Sequence, residues 1–149
     1  MNNLAMKKEY IKKLNYERDL MVIFNYETNL SLKLFIIREK KLSQKCLLNI
    51  IFEEENEKIK SAVVEKIKYQ YVIAKIALED KSSLVRSNAT KLVTNQEILE
   101  RIAFNDQDYL VRVTATEKLT NRVKLEKIAF EDESDLVRKA ASNTLLKLK

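Results

Sequence analysis

The chain has 149 residues, an ordinary size for one domain, and its 46% apolar content is enough for a continuous core. Glycine, proline and histidine are absent and Cys46 is the only cysteine. This excludes a disulfide framework or a Cys/His metal site within one chain, removes the residues that hairpins and phosphate-cradling loops most often need, and points to helices in a reducing, cytoplasmic setting. The formal charge of +6 is uneven: residues 1–45 carry ten Lys and Arg against five Asp and Glu, and the rest of the chain carries eighteen against seventeen.

In chain order, residues 1–17 predict one amphipathic helix through Leu4, Tyr10, Ile11 and Leu14, an N-terminal cap on the helix pairs after it. The apolar runs Leu20–Phe24 and Leu34–Ile37, the longest in the chain, are too short for a membrane span or a signal-peptide core. Residues 18–43 read as a degenerate helix pair. Met21, Phe24 and Tyr26 fit its first helix and Ile37 its second, with Lys33 and Lys41 at positions that are apolar further on.

From residue 44 a period of 26 is legible in four copies, 44–69, 70–95, 96–121 and 122–149. The first helix of each copy carries the columns Leu47, Ile73, Leu99, Leu125, then Ile50, Ile76, Ile102, Ile128, then Phe52, Leu78, Phe104, Phe130. The second carries Ile59, Val85, Val111, Val137, then Val63, Ala89, Ala115, Ala141, then Ile67, Val93, Leu119, Leu145. Intervals of three and four mark helices that bury one face, and the small middle residue allows the paired helices to approach closely. Thr94 with Glu97 reads as a capping box. With no glycine, the turns fall to pairs such as Thr28-Asn29, Asn105-Asp106 and Thr120-Asn121, because Asn and Asp tolerate left-handed backbone best among the residues present.

Three copies also share an acid followed six residues later by Arg: Asp80 with Val85-Arg86, Asp106 with Val111-Arg112, and Asp132 with Val137-Arg138. Glu54 with Ile59-Lys60 is a conservative variant. On these residues the chain resembles HEAT-type helical repeats, closely over 44–149 and weakly over 18–43. The short unit is similar to leucine-rich-repeat variants and to the HEAT-like subunits of bilin lyases, and the proline usual in the first HEAT helix is missing. The resemblance implies an all-α, right-handed solenoid of about five helix pairs plus an N-terminal capping helix, in one domain over 1–149. It also implies that Asp80, Arg86, Asp106, Arg112, Asp132 and Arg138 form a ladder linking neighbouring repeats.

An Arg with an acid at fixed spacing is neutralised for phosphate, so the Arg column reads as structural. In a HEAT-like superhelix the second helices line the concave side. Steps of about 100° from Val85 then place three groups there: Ser87, Thr90 and Lys91; Ser61, Val64 and Glu65; and Val113, Thr116 and Glu117. Lys139, Ser142 and Asn143 complete the row in the last copy. The row is small and mixed in charge, which suits a protein or peptide partner. Lys7, Lys8, Lys12, Lys13, Lys33, Lys40 and Lys41, with Arg38 and Lys45, form the one candidate basic patch, whose alternative partner is a nucleic-acid backbone. Cys46 reads as buried filler, and no residues assemble a catalytic, cofactor or metal site. The expected function is a non-catalytic protein-interaction scaffold. Leu145, Leu146 and Leu148 cannot share one narrow stripe, so the C-terminal end is a candidate surface for self-association.

Overall fold

In the computed structural model residues 3–148 are described; Met1, Asn2 and Lys149, which fall in the predicted capping helix and last repeat, lie outside them. The described residues form eleven helices and no strand, 75% of the chain being helical. They are α1 Asn3–Lys13, α2 Glu17–Tyr26, α3 Leu30–Glu39, α4 Gln44–Glu53, α5 Glu57–Val64, α6 Gln70–Glu79, α7 Ser83–Leu92, α8 Gln96–Asn105, α9 Tyr109–Thr116, α10 Arg122–Glu131 and α11 Asp135–Lys147. No helix among them is long and apolar enough to cross a membrane.

The chain divides into two compact units, residues 1–67 and 68–149. In the first, α3 packs on α1, α2 and α5, and α4 packs on α5. In the second, α6, α8 and α10 pack on α7, α9 and α11 respectively, while α7, α9 and α11 lie against one another in sequence. Ala89, Ala115 and Ala141 are fully buried in that row of second helices, as are Val85, Val111 and Val137. A small side chain at the centre of each helix allows this close approach.

The turns avoid left-handed backbone altogether: no described residue has positive φ. Within each helix pair the turn leaves the first helix at an acidic residue and enters the second at a polar cap. Glu27, Glu54, Asp80, Asp106 and Asp132 end the first helices, and their carboxylates accept backbone N–H bonds from two residues on: from Asn29, Asn56, Ser82, Asp108 and Ser134. Asn29, Asn56 and Asp108 then cap the next helix through their own side chains. Extended caps with side-chain acceptors thus satisfy the orphan donors at the starts of α3, α5, α7 and α9 without left-handed backbone. The cap of α8 is Asn95, accepting from Ile98 N, in place of the expected Thr94. Thr94 instead donates its backbone N–H and hydroxyl to Gln70 Oε1 at 3.2 and 3.1 Å. Gln70 Nε2 donates to Leu92 O, and Gln96 repeats the clamp with Thr120 and Lys118 O.

Two columns differ from the sequence reading. The helix caps Tyr16, Ser43, Tyr69, Asn95 and Asn121 are 27 residues apart at the first step and 26 thereafter. The extra residue shifts the degenerate pair by one, so buried Leu20 takes the column of Leu47, and Leu32-Lys33 take those of Val85-Arg86. Lys33 therefore does not occupy an apolar position. The column of Phe52, Leu78, Phe104 and Phe130 is no core stripe either. Phe52 is 60% and Phe130 87% exposed, and Tyr26, assigned beside them, is 86% exposed. Ile51, Ala77 and Ala103, one position earlier, are the buried residues. Tyr10 of the leading helix also faces solvent, leaving Ile11 as that helix's buried anchor.

Candidate interaction surfaces

The acid and Arg columns meet across repeats. Arg86 donates from Nε and Nη2 to both carboxylate oxygens of Asp106 at 2.8 and 2.9 Å, and from Nη1 to the backbone O of Asp80 at 2.9 Å. Arg112 repeats this with Asp132 at 3.0 and 3.1 Å and with Asp106 O at 2.9 Å, adding Glu133 at 3.2 Å. The six-residue spacing is therefore a main-chain contact, and the ion pair joins each Arg to the acid twenty residues on. Each pairing holds its guanidinium still more firmly protonated, the Asp hydrogen bonds being the main cause. Arg138 keeps the carbonyl contact to Asp132 and pairs with Asp135 on its own helix.

The row expected to line a concave face is divided between interior and solvent. Val64, Thr90 and Thr116 are fully buried and Ser61 nearly so; Ser87 and Val113 are half-buried. The other six, Glu65, Lys91, Glu117, Lys139, Ser142 and Asn143, are exposed. In residues 68–148 the buried part of the row belongs to helices that pack on one another, α9 lying against both α7 and α11. Thr90 there returns its hydroxyl to Arg86 O at 2.8 Å, and Ser87 and Thr114 hydroxyls meet at 3.0 Å between α7 and α9. The second helices also present to solvent the residue before each Val-Arg. Leu84, Leu110 and Leu136 are 44%, 53% and 53% exposed, at the second position of α7, α9 and α11. Periodicity hid them because an apolar residue beside a core valine reads as core; the signal that could have found them is the geometry of one helix step, which turns neighbours about 100° apart.

No family model matches the chain, and no curated protein or solved structure matches it.

The basic patch resolves into separate structural roles. Lys7 pairs with Glu27 at 2.9 Å and Lys12 with Glu9 at 2.6 Å. Lys33 pairs with Glu54 at 3.5 Å and lies 4.7 Å from the Phe24 ring. Lys40 donates to Lys12 O and Leu14 O, both at 2.7 Å, at the end of α1. Lys8 stands 5.5 Å from the Phe35 ring, and Lys13 and Lys41 are exposed. Through its two bonds Lys40 completes a helix C-terminus, where carbonyls lack partners and the dipole favours positive charge. Lys66 does so on Arg38 O, and Lys118 on Thr90 O and Lys91 O; burial lowers the ammonium pKa of Lys118.

Cys46 is buried, which pushes its thiol up to about 11, with the charge of Glu17 adding to the effect. A thiol so far from ionising is a poor nucleophile at neutral pH. Among the described residues no group of three or more Cys, Asp or Glu is arranged to hold a metal ion. At the C-terminal end Leu146 is exposed, while Leu145 and Leu148 are half-buried.

Proposed function

We propose that the chain is a non-catalytic protein-interaction scaffold, a right-handed HEAT-like solenoid of five helix pairs behind a leading helix, acting in the cytoplasm. The observation that carries this reading is the exposed row Leu84, Leu110 and Leu136. Three leucines at one helix position in three successive repeats would each be removed from water by a partner, whereas a single exposed leucine needs no explanation. The polar and mixed-charge residues beyond them, Lys91, Glu117 and Asn143, supply a rim rather than a phosphate track.

The test is selection of binders from a displayed peptide library on the unchanged chain, followed by titration against Leu84→Glu, Leu110→Glu and Leu136→Glu combined. The selected peptides are expected to lose most of their affinity while the circular dichroism stays helical. Undiminished binding to the triple variant would place the contact elsewhere.

A further inference from the structure

In residues 68–148, α8 and α10 meet through two lysines, a carboxylate and an aromatic ring. Lys124 of α10 pairs with Glu100 of α8 at 3.6 Å. Its ammonium and that of Lys127 also stand 5.7 and 5.9 Å from the centre of the Phe104 ring, one turn beyond Glu100. An acid and a ring four residues apart on one helix thus hold two lysines three residues apart on the other. Under this cover Glu100 and Phe104 are half-buried and Ala103 is fully buried.

The period of 26 repeats the acid and the ring on α10 as Glu126 and Phe130. Both are exposed, Phe130 at 87%, and Ala129 beside them is only half-buried. Among the described residues no cation pairs with Glu126 or stands over Phe130. The neighbouring charges have other partners. Arg122, one turn before Glu126, donates to Leu148 O at 3.2 Å, and Lys127 pairs with Glu131 at 3.7 Å. Glu133 pairs with Arg112 and Arg138 with Asp135. The remaining exposed cations at this end, Lys139 and Lys147, lie on α11.

We infer that Glu126 and Phe130 form a docking site for a partner helix with two lysines three residues apart, set on α10 as α10 is set on α8. One exposed phenylalanine needs no explanation. The pair carries the argument, because the same two positions one repeat earlier hold this kind of contact. The site continues an interface that the fold already makes, with the same residue types at the same spacing. The charge of Glu126 and the negative face of the ring both call for a cation, so a nucleic acid is disfavoured. The α10 helix of a second copy is not the occupant, since its lysines are already spent on its own Glu100 and Phe104. This site does not rest on the leucine row, which lies on α7, α9 and α11.

Calorimetric titration with two synthetic peptides tests it, each held helical by a cross-link on the face away from its lysine positions. One has the sequence of α10, Arg-Val-Lys-Leu-Glu-Lys-Ile-Ala-Phe-Glu, and the other has Glu in place of both lysines. The lysine peptide is expected to bind about tenfold tighter, the size that one exposed ion pair and one cation–π contact supply together. Glu126→Lys should reverse that order, and Phe130→Ala should weaken the lysine peptide about threefold. Both substituted positions are exposed, so helix content and melting should be unchanged. A peptide that instead displaced α10 from Glu100 and Phe104 would be indifferent to Glu126→Lys. Equal binding of the two peptides, tighter binding of the glutamate peptide, no binding of either at about millimolar concentration, or an order that Glu126→Lys leaves untouched would overturn the inference.

Discussion

Residues 3–67 and 68–148 solve the same structural problem with different cations. In the first unit the acidic turn is met by lysine, Lys7 on Glu27 and Lys33 on Glu54, each through one contact. In the second, Asp106 and Asp132 are met by arginine, whose fork holds both carboxylate oxygens of the next repeat while its remaining nitrogen holds a carbonyl of its own repeat. A point charge can bridge two elements; a planar fork also fixes their angle and register. The second unit keeps an unbroken period of 26, and the first carries the one-residue irregularity.

The difference can be broken most forcefully at Arg112, which is only 5% exposed. Arg112→Ala leaves the carboxylate of Asp132 without its fork and should cost about 3 kcal/mol in urea unfolding, as for other half-broken buried pairs. A loss below about 1 kcal/mol would put this rung in the class of surface pairs. Next, a double-mutant cycle between Arg86 and Asp106 should show a coupling of about 1 to 2 kcal/mol, while Asp106 with Arg112 should be closer to additive. The latter pair meets through a backbone oxygen that Asp106→Ala retains. Equal coupling in both cycles would contradict the cross-repeat pairing. Smallest of all, Lys33→Met should cost less than about 1 kcal/mol in the same assay, because the ion pair is long and single. A loss as large as that at Arg112 would erase the distinction between the units.

The helices were legible because their apolar residues recur at intervals of three and four, and α4, α6, α8 and α10 begin at Gln44, Gln70, Gln96 and Arg122, one period apart. Side-chain facing was less legible. Leu-Val-Arg is one string in sequence, yet its three residues leave the helix in three directions: to solvent, to the core and to the next repeat. The Gln70 and Gln96 clamps were invisible for another reason, since a glutamine at a helix start has no periodic signature distinguishing a clamp from a solvated side chain. The sequence also could not assign the lysines of the N-terminal third, because their partners, a distant carboxylate or a helix-end carbonyl, are not revealed by composition. Lys40 on Lys12 O is the clearest instance.

The acidic turns all have one length, an acid and a cap two residues later, from Glu27-Asn29 to Asp132-Ser134. The joints after the second helices vary instead: Val93 to Asn95 is the shortest, and Glu65 to Tyr69 and Glu117 to Asn121 are longer. An acid that must reach both a backbone N–H in its own turn and a cation on another helix cannot be moved by even one residue. The other joint is tied by longer side chains, Glu17 on Ser43, Gln70 on Thr94 and Gln96 on Thr120, which can follow a shifted backbone. It is there that this architecture has room for an added residue, and the extra one near the end of α3 is an instance that the chain already carries.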